Sequence, residues 1–208
     1  AGFTVNYTNL AIADSAGAGF RLSFTCGDQS VDSSAFDVSP AAVAFVKNVS
    51  TSVQAGALFA APPEVQLLKA DGSSLLSVHR SVSITVVKLA GHGHLRMHSS
   101  SACSSVSSCR VSVFGGSASF ADLAVWDAAV DNVVLGFICS PGGRTVNTSK
   151  LTVSPKVSVL VQPGSAVEGA AFGSQPVVRQ TNADGSALEN SSIVCVASCA
   201  SSIDNCGI

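Results

Sequence analysis

The chain has 208 residues, of which 47% are hydrophobic and only 12% charged, with 11 basic residues against 13 acidic ones. An ordinary soluble domain carries about 25% charge, yet disorder is excluded, because it needs low hydrophobicity and high net charge. The balanced charge and the lack of a basic run argue against a nucleic-acid partner, and no apolar stretch reaches the roughly 18 residues of a membrane span.

The first element in chain order is a strand. Phe20, Leu22, Phe24 and Cys26 alternate with Arg21, Ser23 and Thr25, the period-2 signature of a strand with one face in a core. Val38-Ser39-Pro40 follows and reads as a boundary, since Pro suits a junction where one strand ends. Then come Gly56 and Phe59, a Pro63-x-Val65 strand and the turn signal Asp71-Gly72. Val82, Ile84 and Val86 alternate with Ser83, Thr85 and Val87. Ser99 to Ser108 reads as a Ser-rich loop between strands. Leu123 to Ile138 is the most apolar stretch, broken by Asp127, Asp131 and Asn132, and within it Val133, Leu135 and Phe137 lead in alternation to Cys139. Val153-Ser154-Pro155 is a second boundary. Val157, Val159 and Val161 open another strand, and Asp184-Gly185 is another turn. No segment keeps an apolar stripe at helical spacing. Short strands separated by turn signals predict an all-β sandwich.

The chain also repeats itself. Leu10, Ala11, Asp14 and Cys26 recur as Leu123, Ala124, Asp127 and Cys139, each 113 positions on. At the same offset Ser52, Gly56, Ala57, Phe59, Pro63, Val65, Ala70, Asp71, Gly72, Ser73 and Leu75 recur as Ser165, Gly169, Ala170, Phe172, Pro176, Val178, Ala183, Asp184, Gly185, Ser186 and Leu188. The Val-Ser-Pro segments recur at 115, so the second copy carries a two-residue insertion that is later compensated. On this reading residues 1–39 are the tail of one module, 40–154 a whole module, and 155–208 the front of a third. With no initiator Met and no signal-type start, the chain is expected to begin after processing or to be a piece of a longer array. A half module exposes strand edges and half a core, so neighbouring modules or neighbouring copies are the expected partners.

The order of these signals resembles the tandem immunoglobulin-like repeats of very large surface and fibrous proteins of bacteria, algae and protists. The resemblance rests on Gly56, Phe59, Pro63, Val65 and Asp71-Gly72, then Phe120, Leu123, Val125 and Asp127, then the alternating strand and the Val-Ser-Pro linker. It covers the whole chain. The cysteines and the glycosylation sequons point to a eukaryotic secreted version, similar in its Ala, Ser and Val-rich, Lys-poor style to the flagellar hair (mastigoneme) proteins of green algae. The resemblance implies immunoglobulin-like modules in a row, a structural role, and an extracellular, cell-surface or flagellar-surface location.

The candidate sites fit that setting. Asn-x-Ser/Thr sequons occur at Asn6, Asn48, Asn147 and Asn190, and in a secreted chain an exposed Asn of this type carries glycan. N-linked glycans are the one covalent group expected; no cofactor and no metal are. Cys103 and Cys109, six residues apart, can close a local disulfide. Cys26 and Cys139 take equivalent strand positions, as buried thiols or bridges. Cys195, Cys199 and Cys206 follow, and seven cysteines leave at least one free or paired outside the chain. His92, His94 and His98 form His-Gly-His-x3-His; on a strand the first two share a face, but no carboxylate nearby orients their rings. A nucleophile elbow, paired carboxylates and a phosphate-cradling loop are all missing from the sequence, so the chain is not expected to be an enzyme. Two readings remain open: a structural segment of an extracellular filament or coat, and an adhesion or carbohydrate-binding module that uses the sole Trp, Trp126, or the His92 to His98 segment.

Overall fold

The computed structural model describes residues 4–47, 49–98, 103–105, 107–167 and 169–197, and every regular element among them is a β-strand. Before the first boundary lie β1 (Gly17–Phe20), β2 (Ser23–Cys26), β3 (Gln29–Asp32) and β4 (Phe36–Val38). The middle of the chain holds β5 (Ala42–Phe45), β6 (Ser52–Gln54), β7 (Glu64–Leu68), β8 (Ser83–Ala90), β9 (His94–Met97) and β10 (Cys103–Ser105). It continues with β11 (Ser108–Ser112), β12 (Ser117–Ser119), β13 (Leu123–Trp126), β14 (Ala128–Ser140), β15 (Thr145–Asn147) and β16 (Leu151–Ser154). The last part holds β17 (Lys156–Val161), β18 (Val177–Thr181) and β19 (Asn190–Ser191).

Strand β14 is the spine of the largest sheet. Its first half pairs with β16 and its second half with β8 and β15, all antiparallel. Strands β11 and β10 extend the sheet beyond β8, and β6 lies parallel to β16. Strand β14 passes its own interruption through a bulge: the register shifts between Val130 and Val133, and Asn132 sits at φ 68°, a left-handed conformation that Asn tolerates better than most residues. Strands β5, β7 and β12 form a separate three-stranded sheet. Val43, Val65, Leu67 and Ala118 of that sheet share one buried cluster with Ile84, Val86, Leu135 and Phe137 of the large sheet. The rings of Phe45 and Phe120 meet Phe137 edge-on at 5.3 and 5.1 Å, an arrangement that aromatic quadrupoles favour. Two sheets thus enclose one core, which is compatible with a β-sandwich. Among the described residues the buried cluster is drawn from residues 43–153, with Ala16 as its one member from outside that range.

The pairings recur along the chain. β1–β4 (Gly17↔Val38, Phe20↔Phe36) matches β14–β16 (Val130↔Val153, Val133↔Leu151), 113 residues on for the first partner and 115 for the second. β2–β3 (Ser23↔Asp32, Phe24↔Val31, Thr25↔Ser30) matches β14–β15 (Gly136↔Asn147, Phe137↔Val146, Ile138↔Thr145) by the same two offsets. The two-residue insertion therefore falls in the turn. Gly27 and Asp28 join β2 to β3, whereas Ser140 to Gly143 lie inside the closing bond from Cys139 N–H to the Arg144 carbonyl. In the other direction β17–β18 (Lys156↔Thr181, Val157↔Gln180) matches β5–β7 (Ala42↔Leu68, Val43↔Leu67), offset by 114 and 113. The left-handed positions recur too: Asp14 (φ 57°) and Asp127 (59°), Gly19 (78°) and Asn132 (68°), Gly56 (73°) and Gly169 (74°), Gly72 (82°) and Gly185 (89°).

Candidate functional site

The most distinctive local chemistry lies at two junctions, where the part before β5 meets the middle and where the middle meets the part after β16. Both junctions are built alike. At the first, Ala16 pairs in parallel with Val78, and His79 N–H donates to the Ala16 carbonyl at 2.8 Å. At the second, Ala129 pairs in parallel with Ser191, and Ser192 N–H donates to the Ala129 carbonyl at 3.0 Å. Every partner is displaced by 113. Both junctions also use the left-handed Asp. The Lys69 ammonium meets Asp14 Oδ1 at 2.6 Å, and that hydrogen bond holds the Lys69 pKa above its ordinary value. The counterpart of Lys69 is Asn182, whose Nδ2 donates to Asp127 Oδ1 at 3.0 Å while its Oδ1 accepts from Asp127 N–H at 3.1 Å.

Each turn that presents the Lys69 or Asn182 side chain is closed by its Asp-Gly pair. Gly72 N–H donates to the Lys69 carbonyl and Gly185 N–H to the Asn182 carbonyl. Hydrogen bonds from Ser73 hold the Asp71 carboxyl below its usual range, and those from Ser186 do the same for Asp184. The Asp in these Asp-Gly turns is therefore an acceptor for the residue two positions on, the mechanism that makes Asp a turn former.

The second junction is the more enclosed. Asn182 is fully buried and also donates to Ser186 Oγ and the Ala187 carbonyl. Ala183 N–H donates to the Ala55 carbonyl, and Gly56 N–H to the Val125 carbonyl, both at 2.7 Å. A side chain at Gly56 would stand 3.1 Å from Asn182 Cβ and 3.4 Å from Trp126 Cδ2, so both its φ and its neighbours require glycine. Trp126 is half-buried here, with the Arg96 guanidinium 5.0 Å from its ring centre and His98 5.6 Å away, a cation–π stack. Arg96 also lies 3.7 Å from Asp127, and His94 lies 3.6 Å from Glu189 across the junction. The Trp126 indole N–H is buried with no acceptor among the described residues. The first junction has Ala13 where the second has Trp126. A shallow cleft of about 600 Å³ opens there instead, lined by Ile12, Asp14, Val38, Pro40, Lys69 and Asp71 among others.

Several sequence expectations can now be located. Cys103 and Cys109 form a disulfide, but the Ser-rich stretch around them is not a plain loop: β10 and β11 pair as a hairpin with the two cysteines directly opposite. Cys139 is fully buried, and burial pushes its thiol up to about 11. Its counterpart Cys26 is exposed, as is Cys195; none of these three is bridged among the described residues. Cys199, Cys206 and Asn48 lie outside the described residues. Asn6 and Asn147 are exposed, and the backbone of Asn190 pairs with Ala128 at the second junction. His92 and His94 do not share a strand face. Gly93 between them sits at φ 95° and packs against Ala128 and Trp126, so the strand begins only at His94. Among the described residues no three His, Cys, Asp or Glu side chains group to hold a metal, and no helix is long and apolar enough to cross a membrane. Asn182 gives no signal in the sequence, because the repeat carries an unlike residue, Lys69, at the matching position. Comparison with protein-family models and with curated proteins finds no match.

Proposed function

We propose that the chain is a structural segment of a secreted, glycosylated protein made of tandem immunoglobulin-like units, which builds an extracellular filament or cell-surface coat. The observation that carries this reading is the repeated junction. Ala16↔Val78 and Ala129↔Ser191 are the same contact 113 residues apart, each with an Asp at positive φ beside it. A contact that repeats with the sequence period sets the same rotation and translation at every step, which is how modules that touch only their neighbours stack into a rod. Supporting features are the disulfide, which persists in oxidising compartments, and the exposed sequons at Asn6 and Asn147. Trp126, the aromatic residue best suited to stack on a sugar, has Arg96 over its ring and lies beside the junction, so its role here is packing.

The decisive experiment is immunogold labelling of the source cells with antibodies raised against this chain, combined with glycopeptide mass spectrometry. The expected result is label on extracellular filaments or coat, with glycan mass on Asn6 and Asn147. Label confined to the cell interior, with both asparagines unmodified, overturns the reading.

A further inference from the structure

On the reading of the chain as secreted and glycosylated, we propose that an N-linked glycan on Asn147 folds back over the outer face of the large sheet. Its first sugars pack there on Leu89, Val87 and Ile138. Residues directly opposite one another across a sheet share a face. Asn147 of β15 stands opposite Gly136 of β14, and Gly136 opposite Val87 of β8. Two residues along, Ile138 stands between Thr145 and Thr85. All of these project away from the buried face that carries Leu135, Phe137 and Cys139, because side chains alternate along a strand. The register between β8 and β14 shifts at this point, and Leu89 lies unpaired between Lys88↔Leu135 and Ala90↔Val134. Its side chain drops over Gly136: a Cβ there would stand 2.7 Å from Leu89 Cδ1 and 3.1 Å from Asn147 Oδ1. Leu89 and the sequon amide thus converge on the gap that one glycine leaves.

Two observations point to a sugar as the cover of this face. Leu89 is 52% exposed, and among the described residues of the middle it is the one exposed large hydrophobic side chain that lies within a strand. Val87 and Ile138 beside it are only half-buried. The repeat, moreover, changes these positions together. The matching hairpin β2–β3 has Asp32 in place of Asn147, and there Ser23 stands for Gly136 and Thr25 for Ile138. The face is polar in the copy without the sequon and apolar in the copy that has it. Asn147 itself is exposed and firmly placed. Next to it Thr148 N–H donates to the Leu135 carbonyl at 2.9 Å, and Leu135 N–H donates to Thr148 Oγ1 at 3.1 Å. Adjacent strands lie about 4.8 Å apart, so β8 is about 10 Å from the attachment strand, within the span of the first two sugars. The C–H face of an N-acetylglucosamine ring and its acetyl methyl take apolar surface out of water at Leu89, Val87 and Ile138, while its hydroxyls face Thr85 and Thr145.

The test uses the 208-residue chain secreted from a eukaryotic host. Glycopeptide mass spectrometry reads the occupancy of Asn147, and thermal melts read stability. Ser149→Ala abolishes the sequon, keeps Asn147 and changes an exposed side chain. It is expected to lower the melting temperature of the glycosylated chain by about 2–4 °C. Once Leu89→Ser has removed the packing surface, the same change is expected to have no effect, a coupling that a double-mutant cycle isolates. Nuclear Overhauser contacts between the acetyl methyl of the first sugar and the Leu89 methyls are expected in the unsubstituted glycosylated chain, and they decide the matter should Leu89→Ser misfold. With Asn147 occupied, equal changes in both backgrounds or the absence of those contacts overturns the packing and leaves the glycosylated reading in place. An unoccupied Asn147 in the secreted chain overturns both at this site.

Discussion

Phe59 and Phe172 occupy one position of the repeat, yet one is 4% and the other 46% exposed. Truncating each to alanine therefore asks whether the environment or the residue sets the energy. For Phe59→Ala the lost transfer energy adds to an unfilled cavity in a packed core, a cost of about 3–5 kcal/mol. For Phe172→Ala only about half of the side chain is buried to begin with, so of the roughly 1.5–3 kcal/mol for fully burying such a side chain about 0.8–1.5 is lost. No cavity term follows, because the site opens to water. Urea unfolding of the chain at concentrations low enough to keep it dispersed, followed by the fluorescence of Trp126, measures both. With a slope of about 2 kcal/mol per molar urea, the midpoint falls by roughly 2 M for Phe59→Ala and roughly 0.5 M for Phe172→Ala. Equal shifts would refute the reasoning, because they would mean that the face around Phe172 is already covered in the isolated chain.

Three further outcomes follow from the same contacts. Gly56→Ala and Gly169→Ala both place a side chain at φ near 73–74°, but only the first meets Asn182 and Ala183; the left-handed strain costs each about 1–2 kcal/mol, and thermal melts are expected to rank Gly56→Ala clearly lower. Asn182→Ala strips the two N–H donors that Nδ2 shares among Asp127 Oδ1, Ser186 Oγ and the Ala187 carbonyl, and leaves Asp127 N–H without its acceptor, a cost of about 2–3 kcal/mol; it is expected to red-shift Trp126 emission and to speed hydrogen exchange at Ser192. Cys139, buried and with its thiol pushed up to about 11, stays protonated at about pH 8, so iodoacetamide is expected to label Cys26 and Cys195 in the native chain and Cys139 only after unfolding, as read by peptide mass spectrometry.

Much of the fold was legible because the repeat preserves what the backbone needs. The identities Asp14/Asp127, Gly56/Gly169 and Gly72/Gly185 are all left-handed positions, where few residues substitute freely. The alternation of Val133, Leu135, Phe137 and Cys139 marks a strand face that is fully buried. Other parts were hidden for definite reasons. Strand β10 is short and Ser-rich, with no apolar alternation to announce it, whereas β11 alternates Cys109 and Val111 with Ser108, Arg110 and Ser112 and escapes notice because that alternation lies inside the Ser-rich stretch. The histidine segment keeps the spacing of a strand face but is broken by a glycine whose conformation no period predicts. The junction residue Asn182 was invisible as a match because an ammonium on Lys69 and an amide on Asn182 reach the same Asp carboxylate by different chemistry. The identity pattern therefore records shared backbone geometry and is blind to shared function carried by unlike side chains.

The low charge of the chain can be apportioned on the same basis. Twenty large hydrophobic side chains are exposed among the described residues, and only five of them (Val46, Leu58, Leu76, Leu89 and Phe114) lie in residues 41–154, more than half of the chain. The stretch from Val157 to Val196 alone holds ten. A surface of serines, threonines and backbone groups keeps the middle wetted with few charges, because burial there removes most of the apolar area from water. The flanks have the same composition without the cover. At roughly 25 cal/mol for each Å² of apolar surface, leaving them bare forgoes stabilisation that the middle obtains from matching residues. Charge poverty is thus matched by burial in the middle of the chain, where Phe59, Val65 and Leu123 are packed, whereas the same residue types at Phe172, Val178 and Leu10 stay exposed in the flanks.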